Sequence, residues 1–192
     1  KSDTVCIAGG VAQNSLANGK LYNNTPFKKI YFPPATHDGG LSIGAALFLH
    51  NQILNQPRTT PMFTASIGNQ FSNKEIENVL LSQHILYHKF SDDELFEKVT
   101  DCIINQGVVG WFQGKSEFGP RALGHRSILA DPRSNDAKEL LNLKIKRRES
   151  FRPFAPSILK EFASEYFEAN EDSPFMEKVF KIKEAKRNII PA

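Results

Sequence analysis

Residues 110–133 read GWFQGKSEFGPRALGHRSILADPR and combine apolar runs with a cationic, glycine-rich loop. The apolar run 108–112 before the loop and the run 127–130 after it are both typical of β-strands. Glycine or proline stands at 110, 114, 119, 120 and 124, which suits a backbone that turns sharply and approaches a ligand closely. The stretch therefore predicts two strands joined by an anion-binding loop. A surface loop with solvated arginines is the alternative interpretation.

The composition indicates a globular protein. With 192 residues, 40% of them hydrophobic and 15 phenylalanines, the chain can form one domain or two modest ones with a substantial core. A net charge of +3 does not by itself indicate binding to nucleic acid or to an acidic membrane. No apolar run approaches the roughly 20 residues that span a bilayer, and the start KSDTVCIAGG lacks a secretion signal. We therefore predict no membrane partner and a cytoplasmic location.

Two cysteines, Cys6 and Cys102, lie in apolar patterns. Two residues give neither a disulfide framework nor the spacing of a metal site. Both are predicted to be buried like small hydrophobic side chains.

The first third of the chain predicts two successive strand–helix units and hence an α/β layer. The predicted strands are 4–8 and 28–32, and the predicted helices are 11–22 and 41–54. The proline-containing, aperiodic segment 55–64 that follows is the candidate boundary between domains.

Capping patterns organise the middle of the chain. Ser72 with Glu75, and Ser91 with Glu94, have the spacing of capping boxes and predict helices that end near residues 81 and 105. The remaining predicted elements are strands at 84–90, 108–112, 127–130 and 175–182, helices at 136–146 and 162–167, and an extended segment at 151–159.

A double-glycine turn, Gly9-Gly10, follows the first predicted strand and opens a helix. Glycines at this position let backbone N–H groups and a helix N-terminus face a phosphate or a ribose. The sequence is neither a Walker loop nor a GxGxxG fingerprint, so the glycine pair by itself favours a tight turn without a ligand over a nucleotide site.

A second turn, PPATHDGG at 33–40, lies at the end of the next predicted strand. Binding sites in α/β sheets gather at this edge if the strands are parallel. Asp38 can cap the following helix or bind a divalent metal, and chemistry alone favours the cap. His37 lacks the repeated spacing of a dedicated metal site.

A basic cluster lies at 144–152 and belongs to the segment KRRESFRPFAPS at 146–157. Arginine makes bidentate contacts with phosphate or carboxylate, so several arginines near one cavity suit a doubly anionic substrate. The interleaved phenylalanines also suit stacking on RNA bases, which keeps an RNA-binding interpretation open.

Four segments together resemble the carbamoyltransferases typified by nodulation protein U and the antibiotic O-carbamoyltransferases. They are GGVAQNSLANGKL at 9–21, PPATHDGGLSIGAAL at 33–47, GWFQGKSEFGPRALGHRSILADPR at 110–133 and LNLKIKRRESFRPFAPSIL at 141–159. The last two are long and specific, whereas the first two are shared with a wider group of actin-like, sugar-kinase-like folds.

The resemblance implies an α/β protein with two domains. Residues 1–56 would be the end of an actin-like (sugar-kinase-like) transferase domain, 57–70 a linker, and 71–192 the first part of a domain similar to threonylcarbamoyl-AMP synthases. The family's metal-binding histidines lie upstream of the glycine turn and are not in this sequence. The chain is therefore expected to be an internal piece of a longer enzyme, nearly inactive by itself.

The resemblance also implies the site residues. Gly9, Gly10, Asn14 and Gly39 would bind the nucleotide, and Asp38 would bind metal, which reverses the preference for a cap. The predicted catalytic cations are Lys115, Arg121, Arg126, Lys146, Arg148 and Arg152.

The implied cofactors are ATP, carbamoyl phosphate as co-substrate, and a divalent metal, iron-type in the transferase domain and magnesium in the adenylating domain. In this interpretation the domains form carbamoyl adenylate and transfer the carbamoyl group to a hydroxyl of a small metabolite. An RNA-associated module and an actin-fold small-molecule kinase are the alternatives. Nucleic acid is disfavoured as a partner of the enzyme, and formation of a homo-oligomer stays open.

Overall fold

The computed structural model describes residues 2–58, 62–168 and 172–192. The chain forms two compact units, and each is built from several segments. The first unit contains the described residues of Lys1–Gly68, Glu117–Leu123 and Glu168–Lys181. The second contains Asn69–Ser116, the described residues of Gly124–Phe167, and Ile182–Ala192. The predicted boundary at 57–70 stays a prediction, and its residues 59–61 lie outside the described part of the chain.

Two strand–helix units form the first unit, as predicted. The elements are β1 (Thr4–Cys6), α1 (Ser15–Asn24), β2 (Lys29–Tyr31) and α2 (Leu41–Phe48), with 3-10 turns at Gly10–Gln13 and Asp38–Gly40 and a π-helical turn at Leu49–Ile53. Strands β1 and β2 are parallel, with Val5 opposite Ile30. Their carboxyl ends therefore meet at one edge of the sheet, which brings the two glycine-containing turns to that edge.

The first predicted helix is wrong in one respect, because it is interrupted at Asn14. The backbone there has φ −77° and ψ 80°, which is not helical. The Asn14 side chain instead accepts a hydrogen bond from the Ala17 N–H at 3.1 Å and so caps α1. The chain thus makes a short turn before the helix starts.

Local capping explains the two longer helices of the second unit. Its elements are α3 (Asn73–Ser82), α4 (Asp92–Ile104), β3 (Val109–Phe112), β4 (Arg126–Leu129), α5 (Ala137–Leu140) and α6 (Ala163–Tyr166), with a π-helical segment at Leu141–Lys146 and 3-10 turns at Lys160–Phe162 and Glu184–Lys186. Both predicted capping boxes are present, at Ser72 with Glu75 and at Ser91 with Glu94. Strands β3 and β4 are antiparallel, with Gly110 opposite Ile128.

Two predicted strands are wrong. Residues 85–90 form no ladder with any described residue, His84 has a left-handed φ of 54°, and Leu86 is 98% exposed. In the segment 175–182 the only pairing in the described residues is an isolated bridge between Ile182 and Phe167. Alternation of apolar residues marks a strand only where a neighbouring strand is available to pair with it.

The expected substantial core is also wrong for this chain. Seven hydrophobic residues of the described part are buried, and only Phe32, Leu141 and Phe175 are large. Cys6 and Cys102, predicted to be buried, are exposed. The physical reason is that each sheet has two strands, so many apolar helix and strand faces have nothing packed on them. The mixed α/β class is confirmed.

Across residues 2–58, 62–168 and 172–192, every helix falls short of the length and apolar character that a membrane crossing requires.

Candidate functional site

The glycine turn after β1 leaves its backbone open to a ligand. Gly9 has φ 92°, a conformation that favours glycine, and its N–H donates to the Thr36 carbonyl at 2.7 Å. A Cβ added at Gly9 or at Gly10 would meet no atom within 4 Å. The space above this turn is therefore free for a ligand in the first unit, whereas Asn14 uses its side-chain oxygen to cap α1.

The second turn is organised by His37, a role that the sequence analysis missed. Its Nδ1 accepts a hydrogen bond from the Gly39 N–H at 2.9 Å. A Cβ at Gly39 would lie 2.6 Å from the His37 ring, and one at Gly40 would lie 2.1 Å from the Ala35 carbonyl oxygen. The cap that chemistry favoured for Asp38 is therefore made by its neighbour, and the Asp38 side chain is exposed at the surface.

Side chains that could bind a metal do not gather in the described residues. Among residues 2–58, 62–168 and 172–192, no three His, Cys, Asp or Glu side chains lie close enough together to hold an ion. Asp38 offers one exposed carboxylate, and the His37 Nδ1 is used in the turn. These residues do not make up a metal site by themselves, so no chemical step is assigned to a metal.

Part of the long glycine-rich loop belongs to the first unit. The Phe118 N–H donates to the Ala65 carbonyl at 2.7 Å, and Gly119, with φ 114°, passes so close to Pro34 that a Cβ would lie 2.6 Å from its carbonyl oxygen. The predicted catalytic Arg121 lines a small cavity there, together with Gln13 and Thr36. Arg121 is thus in the same unit as the glycine turn.

The loop is held from inside by Glu117, which is 7% exposed. Its Oε1 accepts a hydrogen bond from the Leu123 N–H at 2.9 Å. This bond closes the turn that carries Arg121, so Glu117 is a positioning group for the loop.

A strap from residues 172–181 completes the first unit. The buried Asn18 side chain donates through Nδ2 to the Ala12 carbonyl at 2.7 Å and to the Glu177 carbonyl at 2.8 Å. The Val179 N–H donates to the Ser15 carbonyl at 3.1 Å. A single asparagine therefore joins the turn before α1 to a segment that lies 159 positions later.

In the second unit, glycines mark both ends of the loop between β3 and β4. Gly114 has φ 61° and Gly124 has φ 112°. The Gln113 N–H donates to the His125 carbonyl at 3.0 Å and extends the antiparallel pairing by one step. Lys115 and Arg126, two of the predicted cations, are exposed beside these strand ends.

The basic cluster is arranged around Asn142, which the sequence analysis did not select. This side chain is 0% exposed and donates through Nδ2 to the carbonyls of Ser150 at 3.2 Å and Arg152 at 2.9 Å. Its Oδ1 accepts from the Nε of Arg148 at 2.6 Å. The loop from Arg147 to Pro153 is therefore closed by one buried amide.

The two predicted arginines of this loop differ in their surroundings. Arg148 lies with its guanidinium carbon 4.7 Å from the centre of the Phe154 ring. Arg152 is about half exposed and donates through Nε to Glu149 Oε2 at 2.8 Å. The backbone of Glu149 itself, and then the Arg152 guanidinium, hold the pKa of the Glu149 carboxyl below its ordinary value. An exposed pair of this kind is weak and leaves Arg152 available to an anion.

Asp131 makes the second buried polar cluster of this unit. Its carboxylate accepts from the Arg133 side chain at 2.6 Å and from the Arg133 N–H at 2.9 Å. The Arg133 side chain, more than any other group, holds the pKa of the Asp131 carboxyl below its ordinary value. The residue fixes the end of β4 where it enters α5.

The two buried asparagines that the sequence analysis missed share one signal. Asn142 stands between two leucines in an otherwise apolar helical run, and Asn18 stands within the helix pattern LANGKL. A polar side chain at an inward position must find hydrogen-bond partners, so it indicates a buried tie between segments. Five predicted cations, Lys115, Arg126, Lys146, Arg148 and Arg152, belong to the second unit.

Comparison with known proteins gives the relatives of this chain. Residues 1–47 match the family model of the carbamoyltransferase N-terminus, and residues 100–192 match that of the carbamoyltransferase C-terminus. An uncharacterized protein of Synechocystis sp. is 46% identical over 191 residues, which cover 96% of this chain and 31% of the relative. Nodulation protein NolO of Bradyrhizobium diazoefficiens is 43% identical, over 98% of this chain and 35% of the relative. Nodulation protein U of Rhizobium fredii is 34% identical, over 90% of this chain and 28% of the relative. The chain spans about a third of the length of these relatives.

Proposed function

This chain belongs to the carbamoyltransferase family, and from that premise we propose that it is part of an ATP-dependent O-carbamoyltransferase. The long form is a protein that contains this chain and has the full length of its relatives. In the long form, residues 1–56 belong to an actin-like domain that moves a carbamoyl group onto a hydroxyl. Residues 71–192 belong to a domain, similar to threonylcarbamoyl-AMP synthases, that forms carbamoyl adenylate.

The proposed reaction consumes one molecule each of carbamoyl phosphate, ATP, water and the acceptor. Water takes the phosphoryl group of carbamoyl phosphate and leaves carbamate and phosphate. A carbamate oxygen then attacks the α-phosphorus of ATP, and the bond to the β-phosphate breaks to release pyrophosphate. Finally the acceptor hydroxyl attacks the carbamoyl carbon, its proton leaves, and AMP departs with the electron pair of the broken carbon–oxygen bond.

This chemistry needs fixed cations more than a protein nucleophile. Carbamate is an anion and must approach the polyanionic triphosphate of ATP, and charge builds up on the departing pyrophosphate. In the second unit, Lys146 and Arg152 on the basic cluster, and Lys115 and Arg126 at the ends of β3 and β4, are exposed cations. We assign to them the binding of phosphate groups and the stabilisation of the leaving pyrophosphate.

The first unit has a different proposed role. Gly9 and Gly10 present an open backbone, and Arg121 lines the small cavity next to Gln13. N–H groups at such a turn, with a nearby guanidinium, suit the phosphate of an adenylate. We assign this turn, with Asn14 and Gly39, to the nucleotide that is present during transfer.

One observation carries the proposal. The basic cluster and the loop between β3 and β4 both lie in the range that matches the carbamoyltransferase C-terminus, and the open glycine turn lies in the range that matches the N-terminus. This division supports assigning each set of residues to a different partial reaction.

The test follows products in the long form with labelled carbamoyl phosphate and ATP. Carbamoyl-phosphate-dependent formation of AMP and pyrophosphate is expected. Arg152→Ala should lower this rate by about 100-fold, since it removes a cation from the developing charge. Arg121→Ala should leave pyrophosphate release intact but block the transfer that yields AMP, because Arg121 lies beside the turn assigned to the adenylate. Arg187→Ala is the matched control, because Arg187 is an exposed arginine of the same unit outside the cluster.

Two results would contradict the assignment. Normal turnover in Arg121→Ala and Arg152→Ala would remove both arginines from the reaction. Formation of ADP and a phosphorylated acceptor without carbamoyl phosphate would identify the kinase alternative instead.

A further inference from the structure

Both polar atoms of the Asn142 side chain are hydrogen-bonded. Its exposure is 0%, and it is the largest fully buried side chain there. The amide donates to the carbonyls of Ser150 and Arg152 and accepts from Arg148 Nε. A buried amide placed in this way is expensive to leave without partners, so it fixes the geometry of whatever it joins.

What Asn142 joins is the loop of the basic cluster. Its backbone carbonyl also accepts from the Arg148 N–H at 2.9 Å. Arg147, between the helix and the loop, is held at φ 49° and ψ 54°, a left-handed conformation that few residues other than glycine adopt. Such a conformation persists only where the surrounding contacts determine it, and the contacts to Asn142 do so here.

The same contacts turn Arg148 inward. Its Nε is bonded to Asn142, its Nη2 lies 3.5 Å from the Pro153 carbonyl, and its guanidinium carbon lies over the Phe154 ring. By contrast, Arg152 has its carbonyl bound to Asn142 while its side chain points to solvent, with 52% of it exposed. One arginine of the loop thus supports it, and the other is presented by it.

We propose that Asn142 is a positioning residue of the phosphate-binding loop, that Arg148 is its internal pin, and that Arg152 is the arginine presented to the anion. This inference rests on the proposed function for the identity of the anion, because it assumes that the basic cluster binds phosphate groups. It changes the role predicted for Arg148, which acts through Asn142 and the loop backbone.

The test uses inorganic pyrophosphate as the probe, with binding measured by calorimetry in the long form. Asn142→Asp retains an acceptor for Arg148 but loses both amide donors, so the carbonyls of Ser150 and Arg152 face a carboxylate. Asn18→Asp is the matched control, because Asn18 also donates to two backbone carbonyls and lies in the other unit. Thermal unfolding is measured for both.

Both variants should lower the melting temperature, and only Asn142→Asp should weaken pyrophosphate binding, by about tenfold, as expected for one misplaced charge-assisted contact. Unchanged pyrophosphate affinity in Asn142→Asp, or an equal loss in both variants, overturns the proposal. If Asn142→Asp does not fold, Asn142→Ser and its control Asn18→Ser are measured by the same criteria.

A double-mutant cycle tests whether Arg148 supports the loop through Asn142 or contacts the anion itself. Arg148→Lys keeps the charge but removes the Nε donor and the planar face. If Arg148 acts through Asn142, the double variant Asn142→Ser with Arg148→Lys should bind pyrophosphate within about twofold of the weaker single variant. Losses that multiply would show that Arg148 contacts the anion independently, and would overturn its role as a pin.

Failure of the proposed function can be told apart from failure of this inference. A long form that produces no AMP from ATP and carbamoyl phosphate, yet binds pyrophosphate through a loop sensitive to Asn142, supports the inference and removes the proposed reaction. A wild-type protein without measurable pyrophosphate binding overturns the inference directly.

Discussion

Two loops of this protein are each held by the hydrogen bonds of one buried asparagine. They differ in the sequence separation that these hydrogen bonds bridge. Asn142, in the second unit, joins carbonyls that lie 8 and 10 positions along the chain. Asn18, in the first unit, joins Ala12 to Glu177, which lies 159 positions away. The chemistry of the two ties is the same, since each amide nitrogen donates to two backbone carbonyls.

The difference has an energetic meaning. The entropy of closing a loop grows with the logarithm of its length, so a tie over 159 positions is harder to close than one over 10 by about 2 kcal/mol. The loop around Asn142 can form from its own segment. The glycine turn depends on the strap at 172–181, which must be in place before the turn is complete.

The largest expected loss of stability is where α1 contacts the strap at 172–181. A Cβ in Gly19→Ala would lie 2.2 Å from the Val179 carbonyl oxygen, a backbone atom that cannot move without shifting the strap. We expect a loss of about 3 kcal/mol in the opening free energy of α1, measured by hydrogen exchange.

Gly44→Ala is the control for that variant, because a Cβ in α2 would meet no atom within 4 Å there. It should stabilise its helix by up to about 1 kcal/mol, since alanine is the better helix former. Equal effects of the two substitutions would show that the strap does not constrain α1.

A smaller loss of stability is expected from removing the side-chain hydrogen bonds of Asn142 and Asn18. Asn142→Ala removes three side-chain hydrogen bonds at a fully buried position, and Asn18→Ala removes two. We expect a loss of about 2 kcal/mol for Asn142→Ala and a smaller one for Asn18→Ala. Hydrogen exchange should place the first loss in the loop alone and the second in both α1 and the strap. A loss spread over both units in either variant would contradict the comparison.

Helix caps should be nearly equal in the two units. Asn14→Ala in the first unit and Ser91→Ala in the second each remove a capping side chain, at a cost of about 1 kcal/mol. Asn14→Ser should retain most of the stability, because serine also caps. If Asn14→Ser loses ATP affinity while α1 stays intact, the predicted nucleotide contact of Asn14 is supported; unchanged affinity would leave it a cap.

The smallest expected loss of stability is the one caused by acid pH, and it should be confined to the second unit. The pKa of Asp131 is lower in the folded chain than in the unfolded one because of Arg133, so the pair stabilises the fold above the ordinary carboxyl pKa. That stability is lost as the pH falls through the lower, folded pKa. Urea midpoints of wild type and Asp131→Asn should therefore converge on acidification; a constant difference would exclude this pair as the cause.

The sequence allowed the local parts of the fold to be predicted. Both capping boxes and the existence of strands β1 to β4 follow from short-range patterns and are confirmed. The pairing of the strands, parallel in the first unit and antiparallel in the second, was not predicted. The strand predicted at 84–90 is wrong, because its pattern is that of a strand but no described segment pairs with it. The prediction that Cys6 and Cys102 are buried is wrong for a related reason, because burial depends on what packs against the face of the strand or helix that carries the residue.

The candidate site was predictable in its residue types but not in its connections. The glycine turn and the cations of the second unit were recognisable from composition and spacing, and their roles stay predictions. Nothing in the local sequence around Asn18 indicates that Glu177 is its partner. The inward orientation of Arg148 could not be read from a run of arginines, because it depends on the exact reach of the Asn142 amide.

The long reach of the strap also sets an order of events during protein synthesis. Ribosomes add about 5–20 residues per second, so the 159 positions from Asn18 to Glu177 take on the order of ten seconds or more. For that interval the emerging chain has α1 but not the segment that holds its turn. The loop around Asn142 is complete within about two seconds of its first residue at the same rate. A newly made molecule therefore acquires the loop around Asn142 as a local event, and its glycine turn only after the strap has been made.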